Sequence, residues 1–336
     1  MLTKRLIACF DVIGGRVTKA VRFQDNIDVA PAEDLAQSLY EDQIDEIVFY
    51  DIKASAEKRK IDLDTVRRVA HHVFVPFTVG GGIRSVDDMF EVLKAGAEKI
   101  SVDSMAVRDP EIIRHGAEAF GRQCIVLSTQ VQHVGVRDGI PSGYEVFIDG
   151  ARTATGLDAI DWVRRGEDLG AGEIVVNSID RDGTGAGYEL EITRAVADAV
   201  NVPVIASGGA GTVEHIADGL TVGGAQAAII SSMLYSPRLD HNPSVRELKD
   251  ALIGRGVHRG EYDLAVNRYL IDKGEWWRLV TAGFTHFGVA HLAMNMVSLY
   301  FLGRFVEPDV QHTRAATLTV PRCTVRHQMP TRDAHR

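Results

Sequence analysis

Acidic residues follow several apolar runs of the sequence, and carboxylates in such positions can exchange protons. Asp11 ends the first run, Asp51 ends the second, and Asp182 lies in the loop SIDRDGTGAGY after the sixth. A carboxylate at the carboxyl end of a strand can reach a binding site and act as a proton donor or acceptor. A helix cap or a loop salt bridge is the alternative, and for Asp51 the two interpretations weigh about equally.

Two glycine clusters, GGG at 80–82 and GGAG at 208–211, each follow an apolar run and open toward a predicted helix. Backbone N–H groups can approach a phosphate at such a turn, and the helix N-terminus adds a favourable dipole. Tight strand-to-helix turns are the alternative. Hydroxyl-bearing segments after two further runs complete a pair of predicted phosphate sites. The predicted substrate- and phosphate-binding residues are Lys19, Gly81, Gly82, Asp103, Ser104, Asp182, Gly183, Gly208, Gly209, Ser231 and Ser232.

Eight short apolar runs rich in β-branched residues alternate with amphipathic helical stretches as far as about Gly256. The predicted strands are Leu6–Phe10, Glu46–Asp51, Pro76–Val79, Lys99–Asp103, Cys124–Thr129, Glu173–Ser178, Val202–Ala206 and Ala227–Ser231. Predicted helices include Val86–Ala95, Glu111–Phe120, Leu157–Leu169 and Leu190–Val200. Strands buried on both faces in this alternation predict an α/β fold, a (β/α)8 TIM barrel, with an open doubly wound sheet as the alternative.

The chain also repeats itself. The segment around Glu46 matches that around Glu173, and VPFTVGGG at 75–82 matches VPVIASGG at 202–209, both at an offset of 127 residues. Ser104 matches Ser232 at an offset of 128. A shared offset over separate segments predicts two half-barrels of four strands each, which favours a closed barrel.

Composition narrows the function classes. The formal net charge of −9 argues against nucleic-acid binding and against broad binding to anionic membranes, because no basic excess attracts phosphate polymers. Cys9, Cys124 and Cys323 lie far apart without CxxC spacing, which indicates a reducing compartment and no metal site. The amino-terminal apolar run is too short for a signal peptide, so we expect a cytoplasmic protein. We also expect no cofactor.

Five motifs then point to one family: KRLIACFDV, DIKASAEKRK, FTVGGGIRS, GAGEIVVNSIDRDGTGAGYELE and VPVIASGGAGTVEH. Over residues 1–256 the chain resembles the cyclase subunit of imidazole glycerol phosphate synthase, the HisF family. The related isomerase of histidine biosynthesis shares the half-barrel pattern and is the competing assignment. The resemblance implies a lyase that uses ammonia from a partner glutaminase. Its substrate would be a bisphosphorylated formimino-carboxamide ribotide, converted to imidazole glycerol phosphate and aminoimidazole carboxamide ribotide.

The resemblance also implies two catalytic aspartates, on the first and fifth strands. Asp11 matches the first, whereas Gln130 stands at the second position. Because glutamine cannot exchange a proton near neutral pH, we expect this position to lower the cyclase rate by about 10²–10⁴-fold. A second departure is Asp103, where the family usually has an asparagine beside a phosphate. Like charges at close range would oppose phosphate binding there.

Four charged residues match a ring that, in the family, gates an ammonia passage at the amino-terminal end of the barrel. They are Arg5, Glu46, Lys99 and Glu173. The resemblance implies that the glutaminase subunit binds at this face and forms a heterodimer with the barrel. Two positive and two negative groups can neutralise one another when buried, and a purely structural salt-bridge cluster is the alternative.

The remaining sequence differs in character. Residues 257–310 include WWRLVTAGFTHFGVAHLAMNMVSLYFLGRFV, which resembles the early part of a rhomboid intramembrane protease, with His291 and Asn295 four apart as in its HxxxN element. No GxSG motif follows, so we expect a truncated helical segment without proteolytic activity. Membrane insertion of this apolar segment is an alternative that its glycines and histidines disfavour. Residues 311–336 are polar and aperiodic, which predicts a disordered tail.

Two further functions stay open at this point. A divergent paralogue would use ammonia on another substrate, and a weakly catalytic scaffold would bind and activate a glutaminase. Both follow from Gln130, because loss of a proton-exchanging group weakens the argument for the family's own reaction.

Overall fold

The computed structural model describes residues 4–21, 24–54, 57, 59–237 and 242–257. The strands are β1 (Arg5–Ile13), β2 (Arg16–Val21), β3 (Gln24–Pro31), β4 (Glu46–Asp51), β5 (Phe77–Gly80), β6 (Lys99–Val102), β7 (Ile125–His133), β8 (Tyr144–Ile148), β9 (Thr153–Asp158), β10 (Glu173–Ser178), β11 (Val204–Ser207) and β12 (Ala227–Ile230). The α-helices are α1 (Ala32–Glu41), α2 (Leu63–His72), α3 (Val86–Lys94), α4 (Ser104–Arg108), α5 (Glu111–Phe120), α6 (Ala159–Asp168), α7 (Leu190–Ala199), α8 (Val213–Leu220), α9 (Ser232–Tyr235) and α10 (Val245–Gly254).

Eight parallel strands form a closed barrel. They follow the order β10-β11-β12-β1-β4-β5-β6-β7, and pairing of β7 with β10 closes the ring. That last pairing is parallel and runs from Glu173 opposite Val126 to Ser178 opposite Val131. All eight predicted strands are present, so the predicted (β/α)8 barrel is confirmed and the open sheet is excluded.

The side chains of β1 point alternately toward the helices and into the barrel, so this one strand contributes to the outer core, to the barrel interior and to both ends of the barrel. Leu6 and Phe10 are fully buried against the helices in the larger hydrophobic core. Ile7 belongs instead to the smaller cluster inside the barrel, where Cys9 packs against it. Because successive side chains of a strand point to opposite faces, the interior face also receives Arg5 at one end and Asp11 at the other.

Two antiparallel hairpins lie outside the sequence prediction. The pair β2–β3 follows β1, and the pair β8–β9 follows β7, so each half-barrel carries a hairpin after its first strand. Their strands lack long apolar runs because parts of them are exposed, as in TATGLD at 153–158. The predicted helix start at Leu157 is wrong for the same reason. Leu157 and Asp158 end β9, and the Asp158 carboxylate caps α6 by accepting from two backbone N–H groups.

Within the described residues, no helix is long and apolar enough to cross a membrane. The chain from residue 258 onward lies outside the described residues. That part includes nearly all of the predicted helical segment 257–310, the predicted tail 311–336 and Cys323. The domain boundaries at 256 and 310 therefore stay predictions.

Helix α10 packs against the barrel after the last strand. Its amino terminus has a capping box in which Ser244 and Glu247 exchange hydrogen bonds. The buried side chains of the helix are Val245, Leu248 and Leu252. Arg246 Nη2 donates to the carbonyl of Glu41 at 2.7 Å, and Lys249 Nζ lies 2.7 Å from Asp45 Oδ1. These contacts join the end of the barrel sequence to the region between α1 and β4.

We predict that a chain ending after residue 258 folds as a barrel, because the ring and α10 are complete before that point. Circular dichroism during thermal unfolding should show one cooperative transition for this truncated chain. A chain ending after residue 243 is the control. It loses four buried apolar side chains, those of Val245, Leu248, Leu252 and Val257, each worth about 1.5–3 kcal/mol, and should be unstable or insoluble. Aggregation of the 258-residue chain beside a soluble full-length chain would contradict the prediction.

Candidate active site at the carboxyl ends of the strands

A cavity of about 1700 Å³ lies at the carboxyl ends of the barrel strands. Eight of the residues predicted from sequence line it: Asp11, Lys19, Gly81, Gly82, Asp103, Ser104, Gln130 and Asp182. Their sequence separation reaches 171 residues, from Asp11 to Asp182, so only barrel closure brings them together. This mouth is also where enzymes of this fold class place their catalytic groups.

The two glycine turns share one geometry. Gly81 and Gly208 both have positive φ, of 95° and 90°. A Cβ on Gly81 would lie 2.4 Å from the carbonyl oxygen of Asp51, and one on Gly208 would lie 2.8 Å from that of Ser178. Asp51 and Ser178 end β4 and β10 and are themselves 127 residues apart. The repeat therefore extends to backbone contacts that exclude any side chain at these turns.

The second glycine cluster is covered by a loop. The N–H of Gly187 donates to the carbonyl of Gly209 at 2.7 Å, and a Cβ on Gly211 would lie 2.5 Å from the carbonyl oxygen of Gly185. Five predicted residues are consequently not among those that line the described cavity: Gly183, Gly208, Gly209, Ser231 and Ser232. Lys19 links this side to the cavity, because its Nζ donates to Ser231 Oγ at 2.9 Å.

Lys19 lies between two carboxylates. Its Nζ is 3.8 Å from Asp11 Oδ2, and both side chains are largely buried. Burial by itself lowers the pKa of Lys19, but the negative charges of Asp11 and Asp182 overcome it and raise that pKa. Burial raises the pKa of Asp182, while Lys19 opposes the increase. The result is a charged ammonium held beside the first predicted catalytic carboxylate.

Asp103 and Gln130 contact each other directly. Gln130 Nε2 donates to Asp103 Oδ2 at 2.5 Å, across the neighbouring strands β6 and β7. Burial raises the pKa of Asp103 to about 7; Gln130 lowers it, the charge of Asp149 raises it and Arg108 lowers it. Within the described residues, Gln130 Oε1 is buried and has no hydrogen-bond partner. The pair thus places a carboxyl group that titrates near neutral pH beside an unused amide oxygen.

Sequence reasoning missed Arg108, Asp149 and Arg152, which are among the residues that line the cavity. Arg108 on α4 forms an ion pair with Asp149 at 2.6 Å, and Arg152 Nε donates to the carbonyl of Asp149 at 2.7 Å. Ser104 Oγ accepts from the N–H of Asp149 at 3.0 Å. The tip of the β8–β9 hairpin is thereby fixed to the first predicted phosphate site. Arg108 follows the SVDS segment closely enough to have been found, whereas Arg152 had no signal without the hairpin.

The four predicted ring residues meet at the opposite end of the barrel. Arg5 lies 2.5 Å from Glu46 and 2.8 Å from Glu173, and Lys99 lies 3.0 Å and 2.9 Å from the same two carboxylates. Thr78 Oγ1 also donates to Glu46 at 2.9 Å. The Glu46 side chain is only 2% exposed. Each buried charge therefore has two partners of opposite sign, which is the condition for tolerating the loss of water.

Comparison with known proteins agrees with this geometry. The family model described as Histidine biosynthesis protein matches residues 5–240, and the chain belongs to that family. A relative from Solidesulfovibrio magneticus, imidazole glycerol phosphate synthase subunit HisF, is 54% identical over 257 residues, which cover 76% of this chain and 98% of the relative. Proteins of the same name from Syntrophobacter fumaroxidans and Nitratidesulfovibrio vulgaris are 54% and 57% identical over the same length and the same shares of both chains.

A second family model covers part of the remaining sequence. The Rhomboid domain model matches residues 273–325. The resemblance of the apolar segment to rhomboid proteases is therefore confirmed at the level of sequence. These residues lie outside the described part of the structure.

We predict that Lys99→Met destabilises the barrel by about 3–5 kcal/mol, because it leaves Glu46 and Glu173 buried with Arg5 as their remaining ring cation. Urea unfolding followed by circular dichroism measures the change. Lys60→Met is the matched control, since Lys60 is 80% exposed and its ion pair with Asp88 is 3.3 Å long. The control should lose less than about 1 kcal/mol. Equal losses in the two variants would argue against a buried, mutually dependent ring.

We predict a pH-dependent stability difference between the native chain and Asp103→Asn. Because burial raises the pKa of Asp103 from its usual value of 3.8 to about 7, the folded chain holds that proton more tightly than the unfolded chain. The resulting stability is present below about pH 4 and is lost as pH rises toward about 7. Relative to the native chain, Asp103→Asn should therefore gain about 2–4 kcal/mol between pH 4 and pH 8.

Urea unfolding across that pH range checks the difference. Asp138→Asn is the control, because Asp138 lies exposed in the turn between β7 and β8. Its stability difference from the native chain should stay flat. A flat difference for Asp103→Asn as well would show that Asp103 titrates at an ordinary pH.

Proposed function

We propose that the chain is the cyclase subunit of an imidazole glycerol phosphate synthase, a lyase of histidine biosynthesis. The observation that carries the proposal is the combination of two features in one barrel. Asp11, Lys19 and Asp182 meet beside a glycine turn in the cavity at one end, and a buried ring of four charges lies at the other. The HisF relatives, which span the whole barrel sequence, support this assignment over the related isomerase.

The proposed substrate is a bisphosphorylated formimino-carboxamide ribotide. One phosphate would bind at Gly81 and Gly82, where the backbone approaches the cavity without a side chain. Arg108 and Arg152 line the same cavity and would offset the charge of Asp149 and of the phosphate. The second phosphate would bind at the equivalent turn of the other half, at Gly208, Gly209 and the serines after β12. Binding there requires the 183–187 loop to move from its contacts with Gly209 and Gly211.

Ammonia would enter from the opposite face. A glutaminase subunit bound at the amino-terminal end of the barrel would deliver it to the ring of Arg5, Glu46, Lys99 and Glu173. Polar groups continue inside the barrel beyond that ring, where Tyr50 Oη lies 3.4 Å from Ser101 Oγ. Ser101 and Ser128 both line the mouth cavity. These hydroxyls can hydrogen-bond a neutral ammonia molecule that passes between the two ends.

Asp11 is the proposed general acid or base on β1. It lies at the mouth, and Lys19 Nζ is 3.8 Å from its Oδ2. Gln130 hydrogen-bonds at the second position but exchanges no proton near neutral pH. Without a replacement, this position would lower the rate by about 10²–10⁴-fold. The activity of this chain therefore depends on whether another carboxyl group serves opposite Asp11.

We predict that Asp11→Asn lowers the ammonia-dependent cyclase rate by about 10²–10⁴-fold, because the variant keeps the shape of the side chain and loses its proton exchange. The assay follows formation of imidazole glycerol phosphate from the bisphosphorylated ribotide with ammonium salt as the nitrogen source. Asp138→Asn, in an exposed turn, is the control and should keep the native rate.

Other outcomes identify the rival functions. A native chain that binds the bisphosphate without converting it, yet stimulates a glutaminase, would show the scaffold function. A chain that neither binds nor converts the ribotide would indicate a paralogue with another substrate. The carboxylate of Asp103 beside the first glycine turn is the feature that would favour that second outcome.

A further inference from the structure

Acid and amide have changed places between two touching residues at the barrel mouth. The resemblance implies an amide at position 103 and an acid at position 130, whereas this chain has Asp103 and Gln130. The two side chains are hydrogen-bonded at 2.5 Å. A carboxyl group thus remains at this location, although the residue that carries it directly follows β6 and does not belong to β7.

The location faces Asp11. Strand β7 is the fourth strand from β1 in either direction around the closed ring, so the two lie on opposite walls of the barrel. Strand β6 is its neighbour, with Val102 paired to Leu127. The hydrogen bond to Gln130 holds the Asp103 carboxylate toward β7, and both residues line the same cavity as Asp11. An acid–base pair across a bound substrate requires this opposed arrangement.

We infer that Asp103 is the second catalytic residue of this chain, exchanging protons opposite Asp11, and that Gln130 is the positioning residue that orients it. The inference rests on the proposed cyclase function and names the group that completes it.

The other cavity carboxylates are held by cations or backbone N–H groups. Arg59 donates twice to Asp51, at 2.6 Å and 2.7 Å, and His133 N–H donates to Asp180 at 2.9 Å. Asp149 is paired with Arg108. Asp182 interacts electrostatically with Lys19, the cation that also lies beside Asp11. Gln132 Nε2 also donates to Asp180, at a longer 3.5 Å, whereas Asp103 accepts a 2.5 Å hydrogen bond from the amide of Gln130.

The surroundings of Asp103 suit proton exchange near neutral pH. Three neighbouring groups influence the pKa of Asp103: Gln130 of β7, Asp149 of the β8–β9 turn and Arg108 of α4. The charge of Asp103 in turn raises the pKa of Tyr50 of β4. Burial raises the pKa of Asp103 to about 7, where a group can both take and return a proton. The unpartnered Oε1 of Gln130 can accept an N–H of a bound nitrogen and bring it beside the carboxylate.

The proton steps balance. The ammonia nitrogen first replaces the carbonyl oxygen of the ribulosyl group, which leaves as water; as it then forms its second bond, to the formimino carbon, the Asp103 carboxylate takes the proton that this nitrogen sheds. As the bond between carbon and the departing amine breaks, the same proton passes from Asp103 to that amine nitrogen, which keeps the bonding electron pair. Asp103 is a carboxylate again, and no oxidant or reductant is needed.

The test exchanges the two residues. Ammonia-dependent cyclase kinetics are compared for the native chain, Asp103→Asn, the exchange variant Asp103→Asn with Gln130→Asp, and the exposed control Asp138→Asn. Asp103→Asn should lower kcat by about 10²–10⁴-fold with little change in KM for the ribotide. The exchange variant should recover at least about tenfold, because it returns a carboxyl group to the same contact. Thermal unfolding of each variant verifies that the barrel is folded.

The pH profile isolates the role of Gln130. In the native chain, kcat/KM should rise with pH as Asp103 loses its proton and level off above about pH 7. This rising limb of the profile should be absent in Asp103→Asn. Gln130→Leu removes the hydrogen bond that lowers the pKa of Asp103, so its limb should move to higher pH. A merely structural role of Gln130 would change the rate and leave the limb in place.

Other results overturn the inference. If Asp103→Asn keeps its rate within about threefold while Asp11→Asn loses activity, Asp103 has no catalytic role and the cyclase function stands. If the native chain is inactive and Gln130→Asp alone becomes active, Asp103 does not replace the missing acid. Inactivity of both with the bisphosphate ribotide rejects the proposed cyclase function together with the role of Asp103.

Discussion

Parallel pairing of β7 with β10 is the interaction on which the rest of the structure depends, because it closes eight strands into a ring. In a closed ring, every second side chain of every strand points into the same interior. Arg5 and Asp11 then share the inner face of β1 at opposite ends. The charged ring at one end and the cavity at the other therefore have the same cause. On several strands, alternate side chains point inward, and the first and last of these lie at opposite ends of the barrel.

The two half-barrels make this arrangement repeat. Gly81 and Gly208 approach the ends of β4 and β10 in the same way, and a hairpin follows the first strand of each half. The halves differ in what covers the glycine turn. Arg108, Asp149 and Arg152 lie at the first turn, and the glycine-rich loop around Gly185 lies on the second. Equal backbone geometry with unequal surroundings suits a substrate whose two phosphates are attached to different groups.

Sequence reasoning predicted features that depend on local patterns. Apolar runs identified the eight strands, and the resemblance placed Arg5, Glu46, Lys99 and Glu173 in one ring. It missed the hairpins because their strands lack long apolar runs and parts of them are exposed. It could not predict the contact between Asp103 and Gln130, since 27 residues separate them and only the pairing of β6 with β7 brings their side chains together. Asp103 and Gln130, considered separately, each indicated a loss of function. Because their side chains are in contact, the two substitutions can be explained as one exchange of an acid and an amide.

That contact also bears on the charge of the mouth. A carboxylate beside the first glycine turn would repel a phosphate, which is the difficulty that Asp103 raised in the sequence. With a pKa of about 7, Asp103 is substantially protonated near neutral pH, and its neutral form removes the repulsion. A bound phosphate would favour that neutral form further, because its charge opposes ionisation of a nearby carboxyl group. The Asp103 carboxylate that accepts the first proton therefore forms at a higher pH when the ribotide is bound than in the free chain.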